Sequence, residues 1–323
     1  MQVFRGFHHA ALATPSAISI GNFDGVHRGH QAMLAMLVSE ARHRNLAACV
    51  LTFEPHPRDY FARLQGKPEL APTRVASLRD KLVELERCGV DRVVVLRFDQ
   101  RLAAFSAEYF IQAVLLDGLQ ARYVLVGDDF RFGAKRLGDY DLLDAQGMLL
   151  GFDVARLKAY EVHGQRVSSS AVRQALANGD MDLAARLLDR PYAISGHVQH
   201  GRKLGRTLGF PTLNLRLAHA RPAAHGIFVV RVHGLSEQAL DGVASLGLRP
   251  TVDDSGRVLL ETYVLDWAGD AYGKLVRVEL LHKLRNEARY DSLQALSAAI
   301  ATDVQQARAW SALARRHDST SRI

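Results

Sequence analysis

The chain has 323 residues, 48% of them hydrophobic, a formal net charge of +7 and two cysteines, Cys49 and Cys88. This length exceeds the usual size of one domain, and two cysteines exclude a disulfide framework and are typical of a reducing compartment. The positive charge favours anionic partners, but its spread along the chain does not choose among nucleic acid, membrane surfaces and phosphorylated small molecules. Because no signal peptide or run of roughly 18 apolar residues is present, we expect a cytoplasmic protein.

The first half of the sequence alternates short apolar runs with amphipathic stretches. Strands are predicted over residues 17–20, 47–53, 92–96, 123–126 and 152–155. Helices are predicted over 29–44, from Ser77 to about Cys88, from Ser106 onward, and over 168–178 and 180–188. This alternation predicts a parallel sheet with helices on both faces, in which ligands bind beyond the carboxyl ends of the strands.

The character of the chain changes at Asp189-Arg190-Pro191. Short β-rich runs follow, separated by Gly, Pro and Asp, at residues 227–232, 258–265 and 275–281. This pattern predicts a small β-barrel, and the apolar spacing in 292–315 predicts a C-terminal helix. We therefore expect two domains, 1–188 and 189–323.

The segment after the first predicted strand is Gly-Asn-Phe-Asp-Gly-Val-His-Arg-Gly-His, residues 21–30. Glycines at a strand-to-helix turn let the backbone approach a ligand, and the helix N-terminus offers N–H groups to a phosphate. His27 and His30 are placed to stabilise charge that grows on such a phosphate. The alternatives are surface histidines or a zinc pair, although zinc requires further ligands at suitable spacing.

Further blocks follow in order along the chain. They are Phe-Glu-Pro-His-Pro-Arg (53–58), Gly-Asp-Asp-Phe-Arg-Phe-Gly (127–133), Arg-Val-Ser-Ser-Ser-Ala-Val-Arg (166–173) and Gly-Arg-Thr-Leu-Gly-Phe-Pro-Thr-Leu-Asn-Leu (205–215). The serines open a predicted helix and Arg173 lies one turn into it, which suits phosphate oxygens. The last block is rich in glycine but is not a Walker A motif.

These five blocks, in this order, resemble the bifunctional riboflavin kinase/FAD synthetase family of bacteria, and the resemblance runs from about Ala17 to about Asp303. It implies an α/β fold with an N-terminal doubly wound, nucleotidyltransferase-like (Rossmann-like) domain. It also implies a C-terminal small β-barrel riboflavin kinase domain with a C-terminal helix. The implied reactions are phosphorylation of riboflavin to FMN and adenylylation of FMN to FAD and pyrophosphate. Both use ATP with Mg²⁺.

The resemblance carries site residues onto matching positions. For ATP in the adenylyltransferase it implies Gly21, Asn22, Phe23, Asp24, Gly25, His27, His30, Ser168, Ser169, Ser170 and Arg173. For the flavin there it implies Glu54, His56, Pro57, Asp128 and Phe130, with Phe132 an equal candidate for stacking and either phenylalanine an equal candidate for the core. Asp128 and Asp129 are further candidates for Mg²⁺ bound with ATP. His27 and His30 are the implied catalytic pair.

The resemblance implies a second set for the kinase. ATP is assigned to Gly201, Gly205, Arg206, Gly209, Pro211 and Thr212. Mg²⁺ is assigned to Thr212 and Asn214, whose hard oxygens suit that ion and lie on one side of a strand. Glu261 is the implied catalytic base, and Arg285 and Glu287 are assigned to the flavin, with a surface pair as the alternative.

Two departures from the family pattern bear on the kinase activity. Ser245 stands where Asn is usual and Tyr263 where His is usual, so one alternative is that only the adenylyltransferase is active. A second alternative, supported by the charge alone, is a nucleotide- or RNA-binding protein that reuses the fold. We expect ATP, riboflavin and FMN as partners, without nucleic acid or membrane. The sequence leaves a homo-oligomer open, and FMN passes between the sites either through solution or within an assembly.

Overall fold

A computed structural model describes the chain apart from residues 159, 163–164, 202–203, 218–220, 249–257 and 321–323, and apart from the side chains of 162, 165, 204, 206, 248 and 317–320. The chain forms two compact units, each of which is built from two segments. The first unit is Met1–Pro72 with Lys81–Ser168, and the second is Thr73–Asp80 with Ser169–Ile323. None of the helices that are described is long and apolar enough to cross a membrane.

The first unit is built on a six-stranded parallel sheet. Its strands are β1 (Gln2–Arg5), β2 (Ser16–Ile20), β3 (Ala47–Glu54), β4 (Arg92–Arg97), β5 (Ala121–Gly127) and β6 (Asp153–Leu157). Every residue of β2 is buried, as expected for a central strand covered on both faces. The strand order is β1-β4-β3-β2-β5-β6, so the chain reverses its direction of travel at β2. In this class of sheet the ligand crevice lies at that reversal, beyond the carboxyl ends of the strands.

Helices cover the sheet, and most begin at a capping side chain. They are α1 (Arg28–His43), α2 (Pro57–Leu64), α3 (Leu78–Arg87), α4 (Gln100–Ala103), α5 (Ala107–Tyr109), which continues as a π-helix over Phe110–Gly118, and α6 (Tyr140–Leu150). Asp99, Ser106 and Asp139 accept hydrogen bonds from backbone N–H groups of the first turns of α4, α5 and α6. The hairpin of β7 (Glu161–Val162) and β8 (Gln165–Arg166) leads out of the unit.

The structure confirms the parallel α/β fold and the strands predicted for it, and it adds one strand. The sequence analysis did not predict β1, which pairs with β4 at the edge of the sheet. β1 has four mostly exposed residues, Gln-Val-Phe-Arg. Such a short edge strand lacks the continuous apolar run that marks the buried strands.

The second unit contains a curled antiparallel sheet that forms a half-barrel. Its strands are β9 (Tyr192–His197), β10 (Thr212–Arg216), β11 (Gly226–His233), β12 (Leu240–Leu248), β13 (Val258–Val264) and β14 (Leu275–Arg285), in the order β10-β13-β12-β11-β14-β9. The curl brings the ends of the sheet together, because Gln199 N–H donates to Asn214 O at 2.9 Å. Along β13, buried and half-buried side chains alternate, so one face of the strand lines the core.

Four helices accompany this sheet, namely α7 (Ser169–Asn178), α8 (Met181–Leu188), α9 (Leu204–Thr207) and α10 (Leu293–Thr320). α10 extends beyond its predicted end at residue 315 and packs Ala307 against Ile227, Val229 and Val243. Arg308 holds Asp266 through two hydrogen bonds of 2.6 Å, which fixes the helix to the turn after β13. The outer face of the sheet is therefore partly covered by this helix.

Candidate active sites

The turn between β2 and α1, residues 21–27, is tightly folded and buried. Phe23 and Val26 have positive φ angles of 47° and 42°, and Gly25 has a φ of 85°. Phe23 and Asp24 are each 1% exposed and Val26 is fully buried. Non-glycine residues hold such angles only where the surroundings enforce them, and they cluster at functional sites. We call this segment the β2–α1 turn.

The two predicted histidines lie together at the start of α1. His27 caps the helix, because its Nδ1 accepts from the backbone N–H of His30 at 3.3 Å. Their rings are stacked with centroids 3.6 Å apart, and the ring of Phe23 lies 5.1 Å from that of His30. Since the capping Nδ1 acts as an acceptor, the neutral His27 ring carries its proton on Nε2 as a donor. Among the described residues no group of three or more His, Cys, Asp or Glu side chains is arranged to hold a metal ion.

The three serines at 168–170 follow a segment that lies against the start of α1. A Cβ atom on Gly29 would lie 3.4 Å from Val167 O, so glycine there admits the segment that leads to Ser168. Ser168 is the last residue of the first unit. In the second unit, Ser169 and Ser170 open α7, and Arg173 on that helix donates from Nε to Thr73 O at 2.7 Å.

The Glu54 to Pro57 block joins β3 to α2. His56 is 7% exposed and caps α2, since its Nδ1 accepts from Arg58 N–H at 3.1 Å. Glu54 is the last residue of β3 and Pro57 the first residue of α2.

Sequence reasoning did not identify an aromatic cluster beside this block. Phe98 lies with its ring 5.9 Å from Phe53, 5.5 Å from Tyr60 and 5.7 Å from Phe61. Phe61 is 43% exposed, so the cluster presents a ring to solvent. Phe53, Tyr60 and Phe61 flank the Glu-Pro-His-Pro block and were open to prediction, whereas Phe98 joins them only through the pairing of β3 with β4.

In the block after β5, Asp128 lies at an exposed ion pair, whereas Phe130 packs against the hydrophobic core. Asp128 and Asp129 face Arg166, whose Nη2 lies 3.3 Å and 3.9 Å from their carboxylate oxygens. The rings of Phe130 and Phe132 are stacked at 5.3 Å. Phe132 is 8% exposed and belongs to the hydrophobic core, while Phe130 packs on the edge of that core. Phe132 is thus the core residue of the two.

The kinase residues are brought into two neighbouring rows across β10, β13 and β12. Glu261 on β13 stands opposite Asn214 on one side and Ser245 on the other, and Tyr263 stands opposite Thr212. Directly opposed residues of antiparallel strands project from the same face. We call this surface, formed by these five residues, the Glu261 face. Ser245 and Tyr263, which both depart from the family pattern, therefore lie on this face.

Asn214 is the most deeply buried side chain on this face. It is 6% exposed, its Nδ2 donates to Thr212 O at 3.3 Å, and its buried Oδ1 has no hydrogen-bond partner among the residues that the structure describes. A Cβ atom on Gly201 would come within 2.5 Å of that Nδ2, so the loop after β9 closes directly over Asn214. A buried acceptor without a partner is available to a water molecule or to an ion.

The loop that leads to β10 is shaped by Gly205. A Cβ atom there would lie 2.3 Å from Phe210 O, and Phe210 N–H donates to Gly205 O at 2.7 Å. Gly209 has a φ of 86° and Pro211 is exposed. The side chain of Arg206 lies outside the described part of the chain.

Arg285 and Glu287 do not form a pair with each other in the described contacts. Arg285 holds Asp303 of α10 through hydrogen bonds of 2.8 Å and 2.6 Å, which raise the pKa of the arginine. Glu287 Oε1 accepts from Ser245 Oγ at 3.3 Å. Burial raises the pKa of the Glu287 carboxyl, and the charge of Glu261 adds to the rise. Glu287 therefore adjoins the Glu261 face.

Comparisons with known proteins match two separate stretches of the chain. Residues 9–171 match a family model described as FAD synthetase, and residues 188–311 match one described as riboflavin kinase. A relative from Escherichia coli (strain K12) is 47% identical over 310 residues, covering 95% of this chain and 97% of the relative. One from Haemophilus influenzae is 43% identical over 311 residues, covering 96% of this chain and 99% of the relative. Both are named bifunctional riboflavin kinase/FMN adenylyltransferase.

A solved structure described as a macrolide-efflux protein from Streptococcus pneumoniae has the same fold. It superposes with a TM-score of 0.75 at 28% identity, covering 95% of this chain and 99% of the other. The two family models match in order, and the relatives match along almost their whole length. The chain belongs to the bifunctional riboflavin kinase/FMN adenylyltransferase family.

Proposed function

We propose that the two sites described above divide the two reactions of the family between them. The chain phosphorylates riboflavin to FMN with ATP, and it adenylylates FMN with ATP to FAD and pyrophosphate. We assign the second reaction to a domain of residues 1–188 and the first to a domain of residues 189–323. The observation that carries this division is the row of Asn214, Glu261 and Ser245, which lies on a different sheet from the β2–α1 turn.

In adenylyl transfer, a phosphate oxygen of FMN attacks the α-phosphorus of ATP, and the bond to the β-phosphate breaks to release pyrophosphate. The β2–α1 turn and the N-terminus of α1 lie beyond the carboxyl end of β2, where N–H groups face an incoming phosphate. His27 and His30 stabilise the charge that grows on the α-phosphate as pyrophosphate leaves. The remaining residues assigned to ATP are Gly21, Asn22, Phe23, Asp24, Gly25, Ser168, Ser169, Ser170 and Arg173.

The flavin of FMN is assigned to the neighbouring blocks. These contribute Glu54, His56, Pro57, Asp128 and Phe130. The exposed ring of Phe61 and the half-buried ring of Phe130 are the aromatic surfaces that support this assignment.

In the kinase reaction, Glu261 accepts the proton of the riboflavin 5'-hydroxyl as its oxygen attacks the γ-phosphorus of ATP. ADP then leaves. Positioning and charge neutralisation supply most of the remaining catalysis in phosphoryl transfer. We assign the phosphates to the loop of Gly201, Gly205, Arg206, Gly209 and Pro211, and the flavin to Arg285 and Glu287.

Mg²⁺ fits the neighbouring pair of Thr212 and Asn214. The buried Oδ1 of Asn214, which has no partner in the described part of the chain, and the hydroxyl of Thr212 are hard oxygen donors on one face of β10. When bound, the ion neutralises phosphate charge during transfer. The protein's own contribution is to hold the two oxygens on a rigid strand beside Glu261.

We also propose that the protein acts in the cytoplasm. Its two cysteines are free, and Cys49 is buried in β3, which accords with a reducing compartment. FMN passes between the two reactions either through solution or within an assembly.

The division of labour is tested with Glu261→Gln in the full chain. Because the amide cannot take the hydroxyl proton, we expect at least a hundredfold loss in the rate of FMN formation from riboflavin, with FAD formation from added FMN unchanged. Products are separated after incubation with ATP and Mg²⁺.

The matched variant is the double substitution of His27→Ala with His30→Ala, for which we expect the opposite result. Loss of both activities in Glu261→Gln would contradict the separate sites, and a wild-type chain that yields no flavin product would contradict the function itself.

A further inference from the structure

A lysine is completely buried in the first unit. Lys81 on α3 is 1% exposed and is among the largest fully buried side chains of the chain. Burying an ammonium group is unfavourable unless hydrogen bonds and charges compensate it. An apolar residue at this core-facing position of the helix would need no explanation. The presence of a lysine there does need one.

The lysine is connected to the β2–α1 turn by a relay of two hydrogen bonds. Lys81 Nζ donates to Thr52 Oγ1 at 3.3 Å, and Thr52 Oγ1 donates to Asn22 O at 3.3 Å. Thr52 lies on β3, close to its carboxyl end, and is itself fully buried. A hydroxyl has one proton, so accepting from the ammonium directs that proton to the Asn22 carbonyl.

The relay acts on the part of the turn that carries backbone strain. Asn22 directly precedes Phe23, whose φ is 47°. The side-chain Oδ1 of Asn22 is buried and has no hydrogen-bond partner in the described protein, so it is available to a donor on a substrate. Because the carbonyl of Asn22 and the N–H group of Phe23 belong to one peptide plane, holding the carbonyl fixes the direction of that N–H group.

We propose that Lys81 is a positioning residue for adenylyl transfer, which holds the β2–α1 turn in its binding geometry through Thr52 and Asn22. This inference rests on the proposed assignment of that turn to ATP. Lys81 acts on the reaction through the turn. Small displacements of a positioned group lower the rate of a catalysed step strongly, so the effect falls on kcat.

The test compares three variants in the full chain. Lys81→Met keeps the length of the side chain and removes the ammonium, and Thr52→Val keeps the shape and removes the hydroxyl. Lys67→Met, at an exposed lysine of the same unit, is the matched control. The kcat and KM for FAD formation from FMN and for FMN formation from riboflavin are measured with ATP and Mg²⁺, alongside thermal unfolding.

We expect Lys81→Met and Thr52→Val each to lower the kcat of FAD formation at least tenfold, with the KM of FMN changed less than threefold. We expect the kinase constants to stay within twofold of wild type, and Lys67→Met to match wild type in both reactions. The double variant is expected to be no slower than the slower single variant, because both substitutions break the same relay.

A folded Lys81→Met chain with the wild-type kcat of FAD formation would overturn the proposal, as would a double variant in which the two losses multiply. If Lys81→Met does not fold, the kcat of Thr52→Val decides by the same criterion. Retained FAD formation in the double variant of His27→Ala with His30→Ala would instead refute the assignment of the turn to ATP. The two failures are therefore distinguishable.

Discussion

Several polar side chains are buried beside the carboxyl ends of β2 and β3. They are Asp24, His27, Thr52, His56 and Lys81, each less than 9% exposed. Within β2 and β3 themselves, the other buried residues are mainly apolar. Buried polar groups are stable only when they are hydrogen-bonded, and active sites are where their cost is retained. These buried polar groups support the proposed assignment of adenylyl transfer to the carboxyl edge of the sheet.

Cys49 is the opposite case, a buried group without a chemical role. Burial raises the pKa of its thiol to about 12. Because the thiolate is the reactive form, and an accessible thiol has a pKa of about 8.5, we expect alkylation of Cys49 in the native protein at pH ~8.5 to be at least a hundredfold slower than in urea. Iodoacetamide labelling followed by peptide mass spectrometry measures the two rates.

Cys88, which is half-buried, serves as the internal reference for that experiment. Raising the pH increases the thiolate fraction of both residues, but Cys49 remains almost entirely protonated until the pH approaches 12. Equal native labelling of Cys49 and Cys88 would contradict the buried, inert thiol.

At the scale of elements, the loop after β9 leaves no room for a side chain at Gly201. A Cβ atom on Gly201 would meet Asn214 Nδ2 at 2.5 Å, closer than real Cβ contacts allow. We therefore expect Gly201→Ala to displace Asn214 and to lower kcat/KM for MgATP in the kinase reaction about tenfold, or about 1.4 kcal/mol. The measurement is the initial rate of FMN formation over a range of MgATP concentrations.

Gly196→Ala is the matched control, since a Cβ atom there would lie 3.7 Å from Leu215, an ordinary contact. FAD formation from FMN should be unchanged in both variants. A Gly201→Ala chain with wild-type kinase kinetics would show that the loop does not position Asn214.

Elements with strong periodic patterns were predictable from the sequence, and weak ones were not. The buried strands β2, β3 and β5 consist mainly of apolar and small residues, so a local sequence pattern predicts their existence. The edge strand β1 and the extra turn of α10 carry no such signal. Their formation depends on neighbours: β1 is held by pairing with β4.

At the scale of the whole molecule, the two activities belong to one chain but need not occur in the same copy. If FMN passes through solution, equal amounts of Glu261→Gln and of the double variant of His27→Ala with His30→Ala will together convert riboflavin to FAD. Each chain supplies the step that the other lacks. We expect a lag in FAD formation that shortens as the concentrations of both proteins are raised. Chromatography of the flavins at successive times measures this lag.

Each variant alone is the control for the mixture and should make no FAD from riboflavin. Accumulation of FMN in the mixture without FAD would contradict transfer through solution and would favour passage within an assembly of intact chains.

The sequence by itself determined the strand–helix alternation of the first half and the β-rich character of the second, and it predicted the chemical types of the candidate site residues. These are local properties, because propensity, periodicity and motif spacing are carried by neighbouring residues. The histidine pair on α1 and the Thr212–Asn214 pair on β10 were predictable for this reason, since each lies within a single element or its cap.

Only the tertiary structure decided which distant residues meet. The register of β10, β13 and β12 places Ser245 beside Glu261, and the pairing of β3 with β4 brings Phe98 to Phe53. The relay from Lys81 through Thr52 to the β2–α1 turn likewise joins three separate elements. Such contacts depend on strand order and helix packing, which arise from burial of the whole chain and leave no signature in any one segment.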